Sequence, residues 1–369
     1  MAKGAYIGVN NVARKIKKGY IGINNVARKI KKAYIGIGGV ARPCWSDEGV
    51  SYYGAITSLV QARNHLAATT VGNYALFGGG YGTSILNKVD AYNASLTRST
   101  PGKALANGRH KLAATTVGGY ALFGGGETVA SVDSYDASLT RSSPTALSAN
   151  RGQLAAATVG NFALFGGGRG QDGAYCNTVD AYNASLTRTT ANSLSEARYP
   201  LAATTVGDYA LFGGGVNERS SNVSTVDAFN KSLTRTTPTS LSDSRSGLTA
   251  TTVGGYALFG GGSVSRGGTV VDAYDTSLTR TVATSLSVGR EFLASASTDK
   301  YALFGGGTPS GAIATDVVDA YDVSLTRTIA TSLSVARSYL SATTIGNYIL
   351  FGGGSGAGGA SAVVDAYTA

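Results

Sequence analysis

Seven arginines and seven aspartates recur along this chain, neighbours of each kind standing 42–47 residues apart: Arg63, Arg109, Arg151, Arg198, Arg245, Arg290 and Arg337, with Asp90, Asp133, Asp180, Asp227, Asp272, Asp319 and Asp365. Guanidinium groups gathered at one place bind carboxylates and phosphates, and paired carboxyls perform acid–base chemistry. A catalytic site, however, is asymmetric and needs unique groups. A residue needed in every repeat is solving a structural problem in every repeat. The expected role is to satisfy backbone polar groups at strand ends or between units.

The remaining reactive side chains are few. His65 and His110 follow closely on repeat arginines, where Tyr199, Gly247, Phe292 and Tyr339 stand in other units, so filling space is their expected role. Cys44 and Cys176 have no paired spacing, which predicts free thiols and neither a disulfide framework nor a zinc site. Glycine triplets occur at Gly78–Gly80 and six later places, but no Gly-Lys-Ser/Thr follows and no helix begins there, so they are not phosphate cradles. No nucleophile–base pair, metal cluster or paired-carboxylate motif stands out above the repeats. The expectation is a protein without cofactor or metal, and not an enzyme.

The elements that carry these residues are strands. Leu66–Val71 is small, β-branched and apolar, suited to an inner strand near a crowded axis. Gly72-Asn73 is a two-residue turn signal, and Tyr74-Ala75-Leu76-Phe77 reads as a second strand closed by the glycine triplet. Lys88–Tyr92 reads as a third strand, Asn93-Ala94-Ser95 as a turn, and Leu96–Thr100 as a fourth. No segment shows the 3.6-residue apolar spacing of a long helix. Strand-rich units at this period predict an all-β, seven-bladed β-propeller of four-stranded blades.

Closure is also legible. The chain ends at Val363–Ala369, so the last unit lacks its fourth strand, while Ser51–Arg63 precedes the first full unit and ends like the internal Ala330–Arg337. The N-terminal segment is therefore expected to supply the missing strand and close the ring, which leaves no open sheet edge.

An arginine before the inner strand, Gly-Gly after the second and Tyr in the third resemble the kelch repeat from about residue 50 to the C-terminus. The usual fourth-strand Trp is replaced by sequences such as Leu186-Thr187-Arg188-Thr189, and the only Trp, Trp45, lies outside the repeats. The resemblance implies a binding scaffold for protein partners or sugars.

Charge divides the chain. Residues 1–46 hold ten basic side chains and no acid: Lys3, Arg14, Lys15, Lys17, Lys18, Arg28, Lys29, Lys31, Lys32 and Arg42. The remainder carries 21 of each sign, so the formal excess of +10 belongs to one small module. That module repeats every 14 residues, Ala5–Lys18, Gly19–Lys32 and Ala33–Ser46, with Asn10-Asn11, Asn24-Asn25 and Gly38-Gly39 at turn positions between about six short strands. The expected organisation is a basic β-hairpin anchor over 1–46 and a propeller over 47–369. Hairpins this small bury little apolar area by themselves and call for a partner surface or copies of themselves.

The Tyr-Ile-Gly…Val-Ala-Arg pattern of residues 5–46 resembles N-terminal segments of structural proteins from phages and prophages of Gram-positive bacteria. The resemblance implies a virion protein made in the bacterial cytoplasm, docked on capsid or tail proteins through Arg14, Lys15, Lys17, Lys18, Arg28, Lys29, Lys31, Lys32 and Arg42, in several copies or as a homo-oligomer. Basic docking on an acidic protein surface suits it better than nucleic-acid or membrane-surface binding. No stretch approaches the ~20 apolar residues of a membrane span, and no signal peptide is evident.

Sequence individuality is concentrated in the stretches between second and third strands, such as Arg169–Thr178 and Val216–Thr225, which open on one face. Arg169, Asp172, Tyr175, Glu218, Arg219 and Arg266 are the most chemically capable side chains there. They are the expected contacts to a host-surface protein or glycan, whether on a virion or as a lectin-like or adaptor propeller outside one.

Overall fold

The computed structural model describes residues 6–9, 12–15, 19–23, 26–30, 32–37, 40–46, 49–263 and 268–369, with side chains from residue 49 onward. Seven four-stranded antiparallel sheets form the blades of a propeller, and no helix occurs among the described residues. The first blade shows the plan: Ala67–Val71 innermost, then Tyr74–Gly78, Val89–Asn93 and, outermost, Arg98–Ser99. In the N-terminal region Tyr6–Val9 pairs with Val12–Lys15, Gly19–Ile23 with Val26–Ile30, and Lys32–Ile37 with Val40–Ser46, three antiparallel hairpins whose turn residues lie outside the described residues.

The expected closing strand is present. Ser51–Ile56 is the outermost strand of the seventh blade and pairs with Val364–Thr368, with a bulge between Ala366 and Tyr367. The last strand to be made thus lies against the first strand of the propeller, and the seventh blade has the same four-strand order as the other six.

The fourth strand is shorter than its sequence suggests. It begins at Arg98 rather than Leu96, because Asn93 turns the chain: its Oδ1 accepts from the N–H groups of Ser95 and Thr97 at 2.9 and 3.0 Å. Leu96 sits inside that turn with φ +60°, a strained conformation for a branched side chain. Its side chain is buried in the core between the first and seventh blades, which offsets the strain.

Apolar contact between blades explains the first glycine of each triplet. Gly78 ends a second strand, and a Cβ there would lie 2.7 Å from the ring of Phe123 in the next blade. The second glycine, Gly79, has φ +68° and would meet the Arg109 carbonyl at 2.6 Å, so both space and backbone demand Gly. Each buried Phe then crosses the third-strand aromatic of its own blade edge to face, as Phe259 and Tyr274 do at 5.9 Å and 83°. Blade seams are the core, and the sevenfold sequence is its signature.

Candidate functional site

The repeat arginines and aspartates form the expected structural frame. Arg63 is fully buried, and its Nη2 donates to the Phe77 carbonyl at 3.1 Å and to Asp90 Oδ2 at 2.7 Å. Asp90 Oδ1 accepts from Arg98 at 3.1 Å and from the Val60 N–H at 3.0 Å, on the connector entering the blade. Every blade repeats this network, so each carboxylate ties third strand, fourth strand and incoming connector together. The seventh blade substitutes one member. Tyr52 of the closing strand stands where the others carry the second arginine, and its hydroxyl donates to Asp365 at 2.6 Å. Burial and that carboxylate push the Tyr52 hydroxyl up to about 12. The carboxylates and the Nη2 groups of these arginines are engaged within the fold.

Below this frame the axis is a channel of about 410 Å³ lined by the innermost strands, with threonine hydroxyls bridging adjacent blades, as Thr205 to the Thr158 carbonyl at 2.5 Å. Among the described residues no group of three His, Cys, Asp or Glu is placed to hold a metal ion. Cys176 is a free, half-buried thiol whose pKa is raised by burial.

The variable loops lie on the face where connectors reach the axis. There the residue two positions after each repeat arginine comes to the centre: His65, Lys111, Gln153, Pro200, Gly247, Phe292 and Tyr339. Their backbones hydrogen-bond around the axis. Lys111 N–H donates to the His65 carbonyl at 2.9 Å, Gln153 to Lys111 at 2.8 Å, and Gly247 to Pro200 at 3.4 Å. The ring continues from Phe292 to Gly247 at 2.8 Å, Tyr339 to Phe292 at 3.0 Å, and His65 to Tyr339 at 3.0 Å. Pro200 has no N–H, so it cannot donate to Gln153, and the ring has one interruption.

This arrangement requires positive φ. The values are 51° at His65, 57° at Lys111, 55° at Gln153, 64° at Gly247, 53° at Phe292 and 53° at Tyr339. Glycine would be the unstrained choice, yet only one position has it. Each side chain is held in a conformation that costs on the order of 1 kcal/mol. Unlike the leucines in the outer turns, these residues are not alike: the six positions at positive φ carry six different residue types, and Pro200 completes the seven.

Three of them form a stack. His65 lies on Tyr339 with ring centroids 4.2 Å apart at 26°, and Tyr339 lies on Phe292 at 4.4 Å and 25°. Phe292 in turn leans over Gly247, where a Cβ would be 3.1 Å from its ring. His110 meets His65 edge-on at 6.2 Å, and Glu127 joins His110 at 2.9 Å and Lys111 at 3.0 Å. The two histidines are therefore not equivalent space-fillers: His65 belongs to the axial ring, and His110 stands one residue earlier, in the tier outside it.

Of the loop residues expected to act, the structure gathers only some. Arg169 is exposed, and its guanidinium carbon lies 5.9 and 5.3 Å from the ring centres of Tyr175 and Tyr199, with Nη1 donating to the Tyr199 hydroxyl at 3.1 Å. Asp172 is taken up locally, its Oδ1 accepting from the Ala174 N–H at 3.0 Å. Glu218 and Arg219 are exposed at the tip of the next blade's loop, turned by the Asn217 side chain, and Arg266 lies outside the described residues. The basic side chains of residues 1–46 also lie outside the described residues. Sequence reading picked out His65, Gly247, Phe292 and Tyr339 but gave them a space-filling role, because they sit in connectors and not in the long loops. The signal of the axial ring was the unmatched residue two places after each matched arginine.

Burial pushes the His65 imidazole down to about 4, with Lys111 and His110 adding to the effect. Between pH 6.5 and 4 the unfolded chain binds a proton that folded His65 refuses. Stability is thus complete above 6.5 and falls as pH drops through that window. A His65→Gln variant should lose about 1–2 kcal/mol less than the native chain between pH 7 and 4.5, a figure discounted for partial exposure. Urea melts at the two pH values measure it; equal losses in both proteins would refute it.

No protein-family model matches the chain, and no curated protein matches it in sequence. Its fold does have a match: the solved structure described as "Structure of YjhT" superposes with a TM-score of 0.54 over 85% of this chain and 95% of that one, at 12% identity. At that identity the likeness is one of fold. With 709 solved chains similar in fold, architecture by itself selects no activity.

Proposed function

We propose that the chain is a non-catalytic attachment protein, held on a larger assembly by its N-terminal repeats and presenting the axial mouth of the propeller to a partner. A propeller scaffold is compatible with protein or glycan binding; the axial ring supports this face as the binding face. Six axial positions share one positive-φ backbone conformation and carry six different residues, five of them strained non-glycine residues, whereas the buried arginine–aspartate pair is the same in every blade. Their shared task, the backbone hydrogen-bond ring, does not use the side chains, so strain retained there supports a surface selected for its side chains.

The assembly proposed is a phage particle, with residues 1–46 as the anchor and 47–369 as the displayed module. The sequence pattern of those repeats supports it, as do three short hairpins that each pair only within themselves among the described residues. Two-stranded hairpins need an outside surface for stability. The kelch-like reading of the propeller belongs with this role as a scaffold and not as a catalyst.

Electron cryo-microscopy of particles from the source culture tests the anchor. Ordered density for residues 1–46 against capsid or tail, lost from particles when those residues are deleted, is expected. Particles lacking the chain would refute the virion reading. A glycan-binding propeller outside a particle is the second reading, favoured by the stacked rings of His65, Tyr339 and Phe292.

A further inference from the structure

The rings at the axis have no task in the fold that other residues do not already perform. Every blade seam has its own buried Phe crossed edge to face by a third-strand Tyr or Phe. His65, Tyr339 and Phe292 are additional to that core and only half-buried. At centroid separations of 4.2 and 4.4 Å, rings in van der Waals contact are displaced sideways by about 2 Å, so neighbouring rings do not fully cover one another, and each of the three residues stays partly exposed. The result is a stepped aromatic platform at the mouth of the propeller.

Its polar neighbours narrow what can rest there. Glu291 follows repeat Arg290, hydrogen-bonds Ser263, and lies close enough to Tyr339 for its charge to act on that hydroxyl. On the other side Glu127 pairs with the Lys111 ammonium at 3.0 Å and lies 2.9 Å from the His110 imidazole. Two carboxylates at the rim, one of them holding the nearest lysine, disfavour phosphate and other anionic ligands. Rings stacked face on face cannot surround a cation as an aromatic cage does. What suits partly exposed rings bordered by carboxylate, hydroxyl and ammonium groups is a neutral ring with an apolar face and a polar rim.

We propose that the His65–Tyr339–Phe292 stack is a subsite for a neutral hexopyranose of a glycan, its C–H face on the rings and its hydroxyls toward Glu291 and Lys111. This rests on the reading of the axial mouth as the binding face, and it assigns the contact to the connectors instead of the outer loops.

The test uses the full chain on an array of neutral and anionic glycans, with saturation-transfer NMR against methyl glycosides of glucose, galactose, mannose and N-acetylglucosamine. Tyr339→Gly and Phe292→Gly are the informative variants, because glycine suits the positive φ, as Gly247 already does in the same ring. Each should stay folded with a melting temperature lowered by no more than a few degrees, the relieved strain offsetting part of the lost ring burial and stacking, and weaken binding by about tenfold or more. Tyr339→Phe, which keeps the ring, and Arg169→Ala, in the outer loop, should change binding less than about threefold. Native-strength binding by Tyr339→Gly and Phe292→Gly, preference for anionic glycans, or no glycan binding at all would overturn the proposal. Loss in Arg169→Ala with no loss in Tyr339→Gly would also overturn it, while leaving the binding face in place. Particle association, scored separately by microscopy, tells failure of the anchor from failure of the subsite.

Discussion

Removing residues 1–56 is expected to lower the melting temperature by about 10 °C, whereas removing residues 1–46 leaves it within about 2 °C. The shorter deletion spares Ser51–Ile56 and its pairing with Val364–Thr368. The longer one strips five register pairs from the seventh blade and exposes the edge of its third strand. It also removes Tyr52, leaving Asp365 with one fewer donor, and separates Tyr52 from Tyr367 and Tyr53 from Tyr348, whose rings lie 5.1 and 5.2 Å apart. A few partly buried apolar side chains at ~1–2 kcal/mol each and the ladder hydrogen bonds at ~1 kcal/mol together cost about 5 kcal/mol. An unpaired edge also invites association between chains, so the truncated protein should self-associate on size-exclusion chromatography. Equal melting temperatures for the two deletions would refute the latch.

The largest single-residue effect should come from the buried frame. Asp272→Ala is expected to cost about 4 kcal/mol, because Arg245 is fully buried and loses the carboxylate oxygen 2.6 Å from its Nη2. Arg280 and the Ser242 N–H lose their acceptor at 2.9 and 3.1 Å in the same change. Desolvation already pulls the Arg245 pKa down, and the Asp272 charge is the main influence opposing it. Asp272→Asn keeps one acceptor oxygen and should lose less than Asp272→Ala. The double variant Arg245→Met/Asp272→Leu separates the cost of an orphaned charge from the worth of the pair: it should be more stable than Asp272→Ala alone. Denaturant melts of the variants measure these differences. A double variant less stable than Asp272→Ala would mean that the guanidinium's bonds to the Phe259 and Val270 carbonyls, at 3.0 and 2.8 Å, outweigh its charge.

The two effects have a common origin. In a closed ring each blade is held by its neighbours, so a fault in one frame or in the closing strand loosens two seams. The axial ring is different: its positions carry strain and variety, and glycine should be tolerated there. A protein can vary a surface freely where the backbone is held by hydrogen bonds that do not involve side chains.

Much of this was written in the chain itself. Seven triplets at 42–47-residue spacing, each preceded by Leu-Phe and followed by Val-Asp, determine blade number and strand order, because a local pattern that recurs must fold the same way each time. The structural role of the arginines and aspartates was equally legible, since a sevenfold group cannot be an asymmetric site. The missing fourth strand after Tyr367 even announced the closure. Tertiary structure alone decided the rest. Leu96 breaks the fourth strand because burial between blades outweighs its backbone preference. His65, Phe292 and Tyr339 are 47 to 274 residues apart in the chain and become stacked neighbours only when the ring closes. Periodicity reports what every repeat shares; a site made from what the repeats do not share exists only where closure brings the differences to one axis.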